Sequence, residues 1–297
     1  MLETQHFGEH KTGMPHLLIV GGVHGDEPPG VEALTNLAVR LKTIQVRGQI
    51  TVIPVVNQPA WELRSRCGPD GLDLARTCPG RDDGSITERI AAELSRQITG
   101  STALIDLHSG GSTMEIFPLT GYMMVRDDAV LQQQRQMATA FGLPIVWGTS
   151  DQLDGRTLSI ARDHRIPAIY AEYGSAQTNQ TITAAYVQGC LAVATALGLI
   201  DRGDDDRNME KPLLVEQTSP GSGHLQICHP SPCDGDFEGC LELGDDVAAG
   251  EALGNVVAAD TRERINVAAE KTGKLIVRRA QRSVRRGDSL GVILEVS

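Results

Sequence analysis

The 297-residue sequence has no apolar run approaching the roughly 18 residues that a membrane helix needs, so a protein outside the membrane is expected. Its first residues, MLETQHFGEHKTG, lack the basic-then-apolar order of a secretory signal, which predicts a cytoplasmic protein. Positive charge is scarce. A net charge of −11 argues against nucleic acid and anionic membrane as partners, although local arginines can still reverse the sign inside a pocket. The six cysteines, Cys67, Cys78, Cys190, Cys228, Cys233 and Cys240, contain no Cys-x-x-Cys pair. A chain this long buries enough surface to fold without disulfides. Cys228, Cys233 and Cys240, with His224 and His229 nearby, match the spacing of no common zinc module and read as structural thiols. With 40% hydrophobic and 22% charged residues, the composition is that of a soluble globular chain with one large core, or one large and one small domain.

The stretch LLIVGGVHGDEPPG, residues 17–30, organises the rest. An apolar run short enough for a buried strand is broken by Gly21 and Gly22, and a compact loop then carries His24 and Glu27. Alone, His-x-x-Glu is either a surface turn with an incidental pair or part of a metal site. Further on, residues 31–41 have helical spacing and 49–56 form a second strand rich in Val and Ile. Residues 61–83 read as one long loop dense in Gly, Pro, Arg and Asp, a length usually functional or disordered. A helix follows over 85–98, with Ser85 as its cap and Glu88 three residues on.

Residues 103–107 are the next buried strand, with His108-Ser109-Gly110-Gly111 as the turn at its carboxyl end. Then come a helix over 127–141, a strand over 144–147, a helix over 156–164, a strand over 166–171 ending at Glu172-Tyr173-Gly174, and a helix over 178–197. Strands alternating with helices predict an α/β fold, a mixed and largely parallel sheet with helices on both faces. Ligands of such sheets bind beyond the carboxyl ends of the strands. His24 with Glu27, His108, and Glu172 each follow a different strand and converge on that edge.

The charge-dense stretch DRGDDDRNMEK, residues 201–211, predicts a boundary between a catalytic domain (1–205) and a small all-β sandwich or barrel (206–297). The short Gly-Asp-punctuated runs of the second part resemble biotinyl and lipoyl carrier domains. Those carriers present a lysine at a hairpin tip. The matching stretch 260–264 has none, and Lys271 and Lys274 come too late, so a non-carrier β module packed on the first domain is expected.

Two imidazoles and a carboxylate, from His24, Glu27 and His108, suit a catalytic zinc that keeps an open position. Zinc lowers the pKa of a bound water to about 7 and polarises carbonyls. A further carboxylate must then move the proton from water to leaving group, and Glu172 fits that role. Asp106 lies two residues before His108 on the same strand face and could orient its ring. Arg64, Arg66 and Arg76 supply positive charge that can grip a carboxylate or stabilise an oxyanion.

GGVHGDE, NQPAWELRSRCGPDGLDLARTCPG, IDLHSGG and IPAIYAEYG, in that order over residues 15–200, resemble the succinylglutamate desuccinylase/aspartoacylase family of zinc-carboxypeptidase-like hydrolases. The resemblance implies that His24, Glu27 and His108 hold one zinc ion and that Glu172 is the general acid/base. It puts the carbonyl-polarising arginine on Arg66. The family's Asp-Leu-Asn-Arg tetrad falls on Asp73-Leu74-Ala75-Arg76, so Arg76 would grip the substrate carboxylate. Asp73 and, from the charge of the same loop, Arg64 are further substrate-binding candidates. Ala75 stands where the family has asparagine, which removes two donors and an acceptor from that grip. The expected activity is a zinc-dependent deacylase acting on an N-acylated amino acid or similar small amide, and a homo-oligomer is left open. The alternatives are a carboxypeptidase-like peptidase and a non-catalytic binding protein on the same fold.

Overall fold

The structure, a computed structural model, describes residues 2–201, 211–219, 222, 223, 225 and 228–296. Apart from its two ends, the expected boundary at 201–211 lies outside the described residues, as does His224. In chain order the first part comprises β1 (Gln5–Gly8), β2 (His16–Val20), α1 (Pro28–Leu41), β3 (Gln49–Ile53), α2 (Gln58–Leu63), α3 (Ile86–Thr99), β4 (Ala103–His108), β5 (Met114–Met123), α4 (Asp128–Phe141), β6 (Ile145–Thr149), α5 (Thr157–Asp163), β7 (Ala168–Gly174) and α6 (Gln180–Ala196). The second part is strands: β8 (Leu213–Glu216), β9 (Gly235–Gly239), β10 (Asp246–Val247), β11 (Ala252–Ala258), β12 (Arg264–Ala268), β13 (Gly273–Arg279), β14 (Ser283–Val284) and β15 (Gly291–Leu294).

One mixed sheet of eleven strands runs in the order β1-β3-β2-β4-β7-β5-β13-β10, with β6 and β8 branching from β5 and β15 from β13. β2 is parallel to β3 and β4, and β4 is parallel to β7. Every residue of β2 is buried, as a strand covered on both faces requires. The chain passes from β2 through α1 outward to β3, then returns through α3 to β4. Because such crossovers are right-handed, that reversal places α1 and α3 on opposite faces. Accordingly α6 packs against α1 and α4, and α3 against α5. The reversal also opens a crevice between the carboxyl ends of β2 and β4, where open α/β sheets take their ligands.

Several elements differ from the sequence expectation, the short edge strand β1 among them. α1 begins three residues earlier, with Pro28 and Pro29 in its first turn, where a missing N–H leaves nothing unsatisfied. The long loop is interrupted by α2, which Asn57 caps, and by a short 3₁₀ turn at Leu74–Arg76. Met114–Met123, to which the sequence pattern assigns no element, is the longest strand among the described residues. Its Pro118 sits at a register shift between Ile116 and Leu119, a bulge that lets β13 pair with the first half of β5 and β6 with the second.

β10, β13 and β15 thus extend the large sheet, while β12-β11-β9-β14 form a separate four-stranded sheet. Phe237, Val256, Leu275 and Ile293 pack between the two in a second small core. Covering the outer edge of β5 with β13 removes an exposed strand edge. Lys271 and Lys274 ion-pair with Glu295 and Asp246, away from the β11–β12 turn.

Candidate active site

β2, β4 and β7 end side by side, and each delivers part of the site. After β2 the chain turns towards α1 through Gly25, where a Cβ would lie 1.9 Å from the Ala60 carbonyl oxygen. Only glycine allows that approach, which seats the His24–Glu27 loop against the start of α2. Glu27 is the N-cap of α1 but makes no side-chain cap bond. Its oxygens are engaged elsewhere. Oε1 lies 2.7 Å from His24 Nδ1, and Oε2 lies 3.0 Å from His108 Nδ1 and accepts the Ser109 N–H at 3.2 Å. One ligand atom from each of His24, Glu27 and His108 lies within 4.8 Å of the other two.

The outer nitrogen of each ring faces an aspartate. His24 Nε2 lies 3.1 Å from Asp73 Oδ1, and His108 Nε2 lies 3.1 Å from Asp106 Oδ2. Carboxylates on the far nitrogens hold ligand imidazoles in tautomer and orientation. The Tyr186 hydroxyl donates to the His108 carbonyl oxygen at 2.5 Å, bracing the backbone as well. Burial would raise the Glu27 carboxyl, but the two imidazoles outweigh it and hold it well below the usual range. A buried carboxylate anion between two oriented imidazoles is a donor set that fits a divalent cation such as zinc.

Glu172 pairs in register with His108 across β4 and β7, so both side chains leave the same face of the sheet. Its Oε2 is sealed from solvent with no hydrogen-bond partner among the described residues. Burial pushes its carboxyl up to about 8, against the pull of His108 and with the added repulsion of Glu27. A carboxyl that exchanges its proton near neutrality is what general acid/base work requires.

Arg66 grips Asp73 with Nε and Nη2, both 3.0 Å from Oδ2, and its Nη1 lies 3.7 Å from Glu27 Oε1. Asp73 is therefore held by His24 and Arg66, and it also accepts the Ala75 N–H at 2.9 Å. Arg64 is exposed, in a left-handed backbone conformation, with its guanidinium 4.2 Å from the Trp61 ring centre. Arg64, Arg66, Ala75, Arg76, Glu172 and the three clustered residues all line one cavity of about 550 Å³.

That cavity has walls the sequence reading missed. Arg156, immediately before α5, lines it with a buried Nε that has no partner among the described residues. Burial first, and then repulsion from Arg76, lower its pKa to about 10, so the two cations share one end of the cavity. Arg279, Asp288 and Ser289 wall it from the C-terminal strands. No sequence signal distinguishes these residues from other loop-edge polar groups, since they meet the site only through folding. Cys228, Cys233 and Cys240 form no disulfide, and His229 is bonded to Gly291 O and Glu270 N–H.

The loop carrying Arg66 and Asp73 is pinned by Asp70, which accepts the Thr87 N–H at 2.9 Å and the Thr87 hydroxyl at 2.7 Å in the first turn of α3. Slight burial raises the Asp70 pKa, but donors from Ser85, Thr87 and Leu72 outweigh this and hold it at about 2. Its contribution to stability is therefore present above the ordinary aspartate range and lost as pH falls towards 2. Asp70→Ala should cost about 1 kcal/mol, as loss of a cap does, and flatten the acid limb of the stability curve between pH 4 and 2. Urea unfolding at several pH values measures both; an unchanged acid limb would count against the pin.

The sequence pattern of the Succinylglutamate desuccinylase/Aspartoacylase catalytic domain matches residues 13–196. Over 292 residues the chain is 33% identical to N-alpha-acetyl-L-2,4-diaminobutyric acid deacetylase of Halomonas elongata, an alignment covering 95% of this chain and 82% of the relative. The product-bound ectoine utilization protein EutE (DoeB) of Ruegeria pomeroyi superposes with a TM-score of 0.85 at 26% identity, covering 98% of this chain and 87% of that one. A succinylglutamate desuccinylase/aspartoacylase of Rhodobacter sphaeroides superposes with a TM-score of 0.86 at 24% identity, covering 100% and 90%.

Proposed function

The chain belongs to the succinylglutamate desuccinylase/aspartoacylase family, and from that premise we propose that it is a zinc-dependent deacylase that hydrolyses the amide of a small N-acylated amino acid. The observation that carries this reading is the pairing of the His24–Glu27–His108 cluster with Glu172, one strand away on the same face. The chemistry a zinc ion supplies in such a donor set is to make water acidic near neutral pH and to polarise a carbonyl. Glu172 takes the proton of the attacking water and returns it to the departing nitrogen. Arg66, held in place by Asp73, presents its guanidinium to the carbonyl oxygen as that oxygen gains charge. Asp73 and Asp106 keep the two imidazoles aimed inward.

Substrate recognition is assigned to the cationic end of the cavity. Ala75 offers no side-chain donor, and Arg156 faces the same region as Arg76 with an unpartnered Nε. Arg76 and Arg156 together hold the substrate carboxylate, and Arg64 guides it at the mouth. Strand β13 and the 287–289 turn close the far side, which favours a small substrate over a peptide. The relative's named substrate makes an Nα-acetylated diamino acid the first compound to test. The same proposal divides the chain into a catalytic part over 1–205 and an all-β part over 206–297. It places the protein in the cytoplasm, where six cysteines that form no disulfide stay reduced.

The test is a panel of N-acetyl, N-succinyl and N-formyl amino acids, Nα-acetyl-L-2,4-diaminobutyrate included, beside short peptides of graded length. Turnover should be confined to the acylated amino acids. Cleavage of the peptides alone would replace the deacylase with a peptidase. Arg156→Ala should raise KM about 10–100-fold with kcat little changed, the loss expected of hydrogen bonds to a charged group; an unchanged KM would remove Arg156 from the carboxylate site.

A further inference from the structure

The hydroxyl of Thr157 donates to Asp106 Oδ2 at 2.5 Å. That same oxygen faces His108 Nε2 at 3.1 Å, while Asp106 Oδ1 has no partner among the described residues. Thr157 and Asp106 are both buried, 3% and 1% exposed. The orienting carboxylate of one metal-binding imidazole is thus anchored on one oxygen only, and its side-chain anchor comes from the first residue of α5 rather than from its own strand. A buried carboxylate with half its acceptor capacity unused is free to swing about its Cβ–Cγ bond unless its one anchored oxygen is held. Both groups are almost wholly buried in the cavity wall, so solvent has little access to the oxygen that a lost donor would leave.

The geometry points to Thr157 as a positioning residue for the metal site: its hydroxyl fixes Asp106, and Asp106 fixes the His108 ring. This rests on the reading of His24, Glu27 and His108 as metal ligands. Thr157 follows Arg156 directly, so consecutive residues at the start of α5 face the substrate cavity and the brace of the metal ligand. Thr157→Val keeps shape and volume and removes only the donor; Thr157→Ser keeps the donor and removes the methyl.

The experiment measures zinc affinity of the purified metal-free full chain by competition with a chromophoric chelator, for the parent, Thr157→Val and Thr157→Ser. Loss of a partner behind a metal-ligating histidine weakens binding by about 10–100-fold. Thr157→Val should therefore raise the zinc Kd at least about tenfold, and Thr157→Ser should stay near the parent. If Thr157→Val does not fold, Thr157→Ala is measured in its place under the same criterion. Equal affinity of Val and parent, or equal weakening by Ser and Val, overturns the role of the hydroxyl while leaving the metal site intact. A parent that binds no zinc overturns the metal reading, and this inference with it.

Discussion

Replacing Glu172 with glutamine is expected to lower kcat by about 10²–10⁴-fold, the range that a positioned acid/base supplies, while zinc content stays at that of the parent. Glutamine keeps the size of the side chain and one carbonyl oxygen but cannot carry the proton between water and leaving amine. Glu172 lies outside the three-residue ligand cluster, so loss of activity and loss of metal separate cleanly in this variant. A second readout follows from burial, which raises the Glu172 carboxyl from 4.5 to about 8 in the metal-free chain. Between those values the unfolded chain has released the proton and the folded chain still holds it. The group therefore favours folding fully below 4.5 and loses that contribution as pH rises through 8. Metal-free Glu172→Gln should accordingly be at least as stable as the parent at pH 8 and show a weaker fall in melting temperature between pH 5 and 8. This is the pattern of a residue kept for chemistry at a cost in stability. Steady-state kinetics, metal analysis and thermal unfolding at three pH values are sufficient. A variant that retains zinc and more than about a tenth of parent activity would exclude Glu172 as the acid/base, since general acid/base catalysis is worth far more.

Removing the metal should abolish turnover, and adding zinc back should restore it. Chelation is the cleaner route than substitution, for a reason visible in the cluster. Glu27 sits between two imidazoles and His108 between two carboxylates, so the metal-free chain still pairs its buried charges. His108→Ala would instead strip partners from both Glu27 and Asp106. Breaking a buried pair by deleting one member costs about 3–5 kcal/mol, a large part of a typical domain's stability. The chelated protein is therefore expected to stay folded with a lower melting temperature, because a ligand that binds only the native state stabilises it by an amount that grows with the logarithm of its concentration over Kd. His108→Ala should unfold more readily and gain no stability from zinc. Inactive chelated protein that manganese or cobalt restores better than zinc would change the metal. Full activity after exhaustive chelation would remove the metal from the reaction altogether.

Much of this site was legible before any coordinates. The apolar runs at 17–20, 103–107 and 166–171 mark β2, β4 and β7 because they are short, continuous and bounded by turn formers, although β7 starts two residues later and runs on through Glu172 to Gly174. The Ser85–Glu88 capping box was readable by its spacing. Reading the ionisable residues just beyond three such strands places His24, Glu27, His108 and Glu172 at one edge, and the register of β4 with β7 puts the last two side by side. The strand at 114–123 was not legible, because Pro118 and Gly121 argue against a strand locally. Only its neighbours explain it: a bulge absorbs the proline, and a Cβ at Gly121 would meet the Tyr170 ring at 2.1 Å.

Sequence alone determined what depends on local chemistry, namely which periodic or continuously apolar segments become helices and strands, which of those strand ends carry imidazole or carboxylate, and that the thiols need not pair. What the tertiary structure decided is every relation between residues far apart in the chain. Asp73 belongs to His24 and Arg66, Thr157 reaches Asp106, Arg156 faces Arg76, and the C-terminal strands extend the large sheet and wall its cavity. Hydrophobic periodicity reports which face of an element is buried but not against what, and polar groups on loops carry no periodicity at all. Their partners are chosen only when the packed sheet brings loops from distant positions to one edge.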